Sequence, residues 1–79
     1  PDDAVACNNM AAVALSNGDH QTARRHLERA KDDPRCKNNI GVVLVREGRL
    51  DDAERYFREA AMEGSREAEF NLTNLGALQ

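Results

Sequence analysis

The chain repeats itself, and that constrains its fold more than any other feature. From Lys37 to Ala60 it reads KNNIGVVLVREGRLDDAERYFREA, two helical patterns back to back, broken at Gly48. The first places Ile40, Val43 and Leu44 at the i, i+3, i+4 spacing of one helix face. The second places Leu50, Ala53, Phe57 and Ala60 on a similar stripe. Gly41 and Ala53 are small where two helices have to approach closely. Upstream by 30 residues, Asn8, Asn9, Met10, Gly18, Ala23, Leu27 and Ala30 answer Asn38, Asn39, Ile40, Gly48, Ala53, Phe57 and Ala60. A unit of two short helices cannot bury its apolar face alone, so such units stack on their neighbours.

The small-residue, glycine, alanine, aromatic, alanine pattern of Gly41, Gly48, Ala53, Phe57 and Ala60 resembles the tetratricopeptide repeat. Residues 34–65 match well. Residues 4–33 match more weakly, with Ala11 in place of the glycine and Leu27 in place of the aromatic. Residues 66–79 resemble the first helix of a third unit, with Asn71 and Leu72 in the places of Asn39 and Ile40. The resemblance covers almost the whole chain. It implies one all-α domain over residues 1–79, a right-handed α-solenoid of antiparallel helical hairpins: two repeats plus a fifth, terminal helix. The handedness rests on the resemblance alone. The usual repeat is about 34 residues, whereas the first spacing here is 30. The difference is close to one helical turn. It shortens a helix without rotating its buried face far, so the architecture survives while the curvature of the superhelix changes.

Punctuation residues place the elements. Helix one is expected over Pro1 to Ser16, with Asp2 and Asp3 at the positive end of its dipole and Ala6, Cys7, Met10, Val13 and Ala14 inward. Gly18 ends it, as a left-handed residue after a helix usually is glycine or asparagine. Asp19 caps helix two, His20 to Lys31. Asp33–Pro34 is a restart signal, an N-cap acceptor followed by a proline at the first helical position. Helix three follows to Glu47, and Gly48, with positive φ, ends it. Helix four runs from Leu50 or Asp51 to Glu63, and Gly64 closes it. Ser65 caps helix five, with Ala68, Leu72 and Leu75 on one face. Phe57 is expected to be almost fully buried against Ile40, Leu44 or Leu72.

Composition narrows the function. The chain has 79 residues and a formal net charge of −3, which gives no pull toward nucleic acid or an anionic membrane. No apolar run approaches the ~20 residues that span a bilayer, and no signal peptide is visible. The chain starts at Pro1 and stops at Gln79 inside a helical pattern, so it reads as an excised or processed piece of a longer protein, with its compartment left open. Cys7 and Cys36 lie on the first helix of their units and lack zinc-site spacing. They read as half-buried free thiols, with a disulfide as the alternative. His20 and His26 sit on opposite sides of one helix and cannot share a metal. Asp32–Asp33 and Asp51–Asp52 fall at helix boundaries, where capping accounts for them. Ser16 and Ser65 have no histidine near in sequence, and there is no glycine-rich phosphate loop. The expectation is therefore a protein that is not an enzyme and holds no cofactor or metal.

The asparagines are the most informative polar residues, because asparagine is a poor helix former. Asn8, Asn9, Asn38, Asn39, Asn71 and Asn74 all fall inside helices. Asn9, Asn39 and Asn71 occupy the same place in each unit, one residue before Met10, Ile40 and Leu72, which are expected to be buried. In the family the first helices line a concave groove. There an asparagine ladder offers a donor and an acceptor to the main chain of an extended peptide or a partner helix. The other reading is internal, with each asparagine bonded to the neighbouring helix. Val42 and Val45, with Ala12, supply an apolar floor, and Arg46 and Arg35 are the nearby cations. Some relatives clamp a C-terminal carboxylate with lysines and asparagines. Asn39 fits that scheme, but Asn8, Ala12 and Glu67 do not, which argues against chaperone-tail binding. The functional expectation is a protein-interaction module. The alternative is an assembly module that self-associates weakly through Phe70 and Leu78 on the open face of the last helix.

Overall fold

The computed structural model describes residues 3–78, the last of them by its backbone only. The described residues form five α-helices and no strand: α1 Ala4–Ser16, α2 His20–Glu28, α3 Pro34–Arg46, α4 Leu50–Met62 and α5 Arg66–Leu78. α1 packs on α2 and α3 on α4 as hairpins. α3 also touches both helices of the first hairpin, and α5 rests on α4. The result is a slab of 35 × 26 × 16 Å.

Three turns share one construction. Gly18, Gly48 and Gly64 have φ of 76°, 79° and 101°, the left-handed conformation that only glycine adopts without strain. After α1, the Gly18 amide donates to the Leu15 carbonyl and the Asp19 amide to Ala14. After α3, Gly48 donates to Val45 and Arg49 to Leu44. After α4, Gly64 donates to Ala61 and Ser65 to Ala60. Each pair satisfies carbonyls that a helix end would leave orphaned. The starts are capped as expected: Asp3 accepts from the Val5 amide, Asp19 from Thr22, Asp33 from Arg35, and the Ser65 hydroxyl from Ala68. Pro34 occupies the first turn of α3.

Several expectations are corrected. α1 begins at Ala4 with Asp3 as its cap; Pro1 and Asp2 lie outside the described residues. α2 stops at Glu28 instead of Lys31. Beyond it, Arg29, Ala30 and Asp33 donate to carbonyls three residues back, a tighter winding that brings the chain round to Pro34. The missing helical turn of the short repeat therefore falls at the end of α2, which has 9 residues where α4 has 13. Glu47 and Glu63 are C-caps and not the last helical residues.

The core comprises Ala11, Ala14, Leu15, Ala23, Leu27, Cys36, Ile40, Val43, Leu44, Ala53, Phe57, Ala60, Ala68 and Leu75. Phe57 is fully buried as expected, with its ring against Gly41. The inward face of α1 was misplaced. Cys7 and Ala14 are buried, but so are Ala11 and Leu15, whereas Ala6, Met10 and Val13 are exposed. Both cysteines are free thiols, and both are buried rather than half-buried.

Candidate protein-binding face

α1, α3 and α5 carry the asparagines, and the structure joins them in diagonal pairs. Asn39 of α3 donates its side-chain Nδ2 to Asn8 Oδ1 of α1. Asn71 of α5 donates to Asn38 Oδ1 of α3 at 2.9 Å. Asn39 and Asn71, one residue before Ile40 and Leu72, thus each reach back to the first asparagine of the preceding asparagine-bearing helix. Asn38 is buried, while Asn8, Asn39 and Asn71 are half-buried. Asn9 and Asn74 are exposed and bond to nothing among the described residues. The doublets Asn8–Asn9 and Asn38–Asn39 were visible in the sequence. Their diagonal pairing was not, since it depends on the stagger between stacked helices.

The remaining groups frame this face. Val42 and Val45 are half-buried and pack against the core. Arg46 is exposed, and its Nη1 donates to the Leu15 carbonyl at 3.0 Å, tying the ends of α3 and α1 together. Arg35 is turned onto Asp33, with Nε to Oδ1 at 3.0 Å and Nη2 to Oδ2 at 2.9 Å. That bidentate contact, first of all, holds the Asp33 carboxyl below its ordinary value. Both cations nearest the asparagines are therefore engaged within the chain.

Other polar groups serve the stack. Lys37 bridges α3 to α4, at 3.0 Å from Glu63 and 3.6 Å from Glu59; the Glu63 carboxylate, chiefly, raises its pKa. Arg24 of α2 reaches Glu47 at 3.3 Å. Burial pushes the Cys36 thiol up, with Asp33 and Cys7 adding to the effect, so the reactive thiolate is disfavoured. Sequence reasoning passed over these bridges because each joins residues more than 20 apart in the chain. Among the described residues no three histidine, cysteine or carboxylate side chains gather to hold a metal. No helix of the described residues is long and apolar enough to cross a membrane.

Comparison with known proteins settles the family. Models of the tetratricopeptide repeat match residues 4–29 and 35–61. The chain belongs to the tetratricopeptide repeat family. The two matches coincide with the hairpins α1–α2 and α3–α4. Among curated relatives, the photosystem I assembly protein Ycf3 of Parasynechococcus marenigrum (strain WH8102) is 36% identical over 64 residues, covering 67% of this chain and 37% of the relative. Ycf3 of Synechococcus elongatus (strain ATCC 33912 / PCC 7942 / FACHB-805) is 41% identical with the same coverage. The chain thus spans 37% of the length of these relatives. No solved structure matches it. The repeats mark this tetratricopeptide chain as a protein–protein interaction module.

Proposed function

We propose that the chain holds an extended segment of a partner protein in a groove lined by α1, α3 and α5, the first helix of each unit. On this reading residues 4–33, 34–65 and 66–79 are successive units of a right-handed solenoid. The observation that carries it is the bonding of the asparagine pairs. Each pair uses one N–H and one carbonyl oxygen. Asn8 and Asn38 keep a side-chain NH₂, and Asn39 and Asn71 keep an oxygen, outside those bonds. A peptide group needs one donor and one acceptor, so the half-buried Asn8–Asn39 pair presents the complement of one main-chain unit, while the Asn38–Asn71 pair, with Asn38 buried, offers the Asn71 oxygen. Asn9 and Asn74 extend the row, Val42 and Val45 give apolar contact, and Arg46 stands at one end. The relatives named for photosystem I assembly support a partner that is being built into a larger complex.

The test begins with a displayed library of random peptides selected on the 79-residue chain, followed by calorimetry with the enriched sequence. Asn9→Ala and Asn74→Ala should each weaken binding by about 0.5–1.5 kcal/mol, the worth of a net hydrogen bond, with the melting temperature unchanged. Asn39→Ala should lower both affinity and stability, because it also breaks the bond to Asn8. If the two exposed asparagines prove irrelevant to affinity and Asn39→Ala affects only stability, the asparagines are internal structure and the reading fails.

A second reading has one observation in its favour. Phe70 of α5 is 67% exposed, and an uncovered aromatic at the end of a stack favours association. Leu78, its expected companion, has its side chain outside the described residues. Light scattering over a concentration series separates the readings. A dimer lost in Phe70→Ser favours assembly through α5, and a strict monomer favours the peptide groove.

A further inference from the structure

The two arginines beside the asparagines are used differently. Arg35 turns two of its nitrogens onto one carboxylate, Nε and Nη2 meeting the two oxygens of Asp33. Its charge is neutralised within the chain. Arg46 uses only Nη1, and its acceptor is the uncharged Leu15 carbonyl at 3.0 Å. Glu47, the next residue, is turned away to Arg24 of α2. Among the described residues no carboxylate pairs with Arg46.

Arg46 is exposed, yet its guanidinium is held. The carbonyl contact fixes it at the joined ends of α3 and α1 and leaves Nε and Nη2 outside that bond. A guanidinium edge of this kind matches the two oxygens of a carboxylate. Its neighbours carry no competing charge. Ser16 and Asn17 close α1, and Leu75, Gly76 and Ala77 lie at the same end of α5.

Spacing ties this cation to the asparagine row. Asn39, Val42 and Arg46 stand at i, i+3 and i+7 of α3, which is one stripe of a helix. Seven residues rise about 10 Å, and an extended chain covers ~3.3–3.6 Å per residue. The half-buried Val42 lies between the two polar groups. A segment whose main chain is held by Asn8 and Asn39 therefore reaches Arg46 within about three residues, with aliphatic carbon against Val42.

We propose that this face selects an acidic segment. The partner carries an aspartate or glutamate within about three residues of the unit bonded by Asn8 and Asn39, and its carboxylate takes the outer edge of Arg46. This inference rests on the groove reading above and adds the charge of the occupant. The chain as a whole is acidic, with a net charge of −3. General attraction therefore does not favour such a segment, and direct contact with Arg46 has to.

The test repeats the random-peptide selection on the 79-residue chain and on Arg46→Glu. Sequences enriched on the wild type should share an acidic position, and on Arg46→Glu that position should turn to lysine or arginine. Calorimetry then compares the enriched peptide with a copy in which the acid is replaced by its amide. The amide copy should bind the wild type about three- to tenfold more weakly. Arg46→Gln should bind both peptides alike. If the Arg46 variants do not fold, the Arg46 Nε–H resonance of the ¹⁵N-labelled wild type serves: the acidic peptide should shift it and the amide copy should not. Peptides without an acidic position, bound in a manner still sensitive to Asn9→Ala, would overturn this inference and leave the groove reading standing. An acid preference undiminished in Arg46→Gln would also overturn it, since the carboxylate would then sit elsewhere. If no peptide is enriched, or none responds to the asparagine variants, the groove reading fails and this inference fails with it.

Discussion

The two hairpins close on themselves with different residue pairs. In the second, a methyl group on Gly41 would lie 2.4 Å from Phe57 Cε1, 2.7 Å from Cδ1 and 2.9 Å from Cζ. The aromatic ring occupies the space that a Cβ needs. In the first, the same two places hold Ala11 and Leu27, both completely buried. Leucine is the smaller partner, and alanine the larger. The two departures of the first repeat from the family pattern compensate each other, so its weaker match is a different packing solution and not a defect. The hairpins differ again on their outer side, where Ile40 and Val43 are sealed while Met10 and Val13 face solvent. Equivalent residues acquire different burial from what stands in front of them.

The largest effect should come from Phe57→Ala. Removing a buried aromatic costs about 3–5 kcal/mol, a large share of the roughly 4–12 kcal/mol expected for a chain of this size. Denaturant unfolding should show a broad or absent transition. A sharp transition near the wild-type midpoint would mean that the second hairpin is not built around this ring.

Next comes the outer face. Ile40→Ala should cost about 2–5 kcal/mol, and Met10→Ala should stay within about 0.5 kcal/mol of wild type. Equal losses would show that α1 is covered in solution as α3 is.

The compensating pairs can then be exchanged. Gly41→Ala should cost about 1–3 kcal/mol through overpacking, and less in a Phe57→Leu background, where the leucine makes room as Leu27 does for Ala11. If the double-mutant cycle shows no coupling, the pairing of small and large residues is coincidental.

What could be read from the sequence was whatever local chemistry decides. Gly18, Gly48 and Gly64 mark turns because only glycine fits a left-handed helix end, and Asp33–Pro34 marks a start because cap and proline act within a few residues. The face of α3 was legible too, since Ile40, Val43 and Leu44 recur at helical spacing. The face of α1 was not, because Ala4–Ser16 contains no charged residue to mark the wet side. The end of α2 was missed because Ala30 and Lys31 suit a helix locally, whereas the connection to Pro34 requires tighter turns. At the candidate site, the asparagines stood out as poor helix formers. Which asparagine bonds to which depends on the axial offset of α1, α3 and α5, and no residue-level pattern encodes that offset.

The smallest effect contrasts two helix starts. α3 begins at Asp33, whose Oδ1 accepts from the Arg35 amide at 2.9 Å. α4 begins at Arg49, which makes no side-chain cap; its Nη2 instead pairs with Asp52 at 2.7 Å. Asp33→Ala should cost about 1 kcal/mol at neutral pH, the usual worth of an N-cap. Arg49→Ala loses only an exposed pair, worth about 0.2–1 kcal/mol. The Asp33 contribution also depends on pH. The Asp33 carboxyl is held below its ordinary value, first by the Arg35 guanidinium, so the folded state binds the proton less readily than the unfolded state. Its contribution is complete above the unfolded value of about 3.9 and is lost as pH falls through the lower, folded one. Thermal melts from neutral pH into this acid range should therefore converge for wild type and Asp33→Ala. A gap between wild type and Asp33→Ala that persists at the acid end would assign the loss to packing of the Asp33 side chain rather than to its charge.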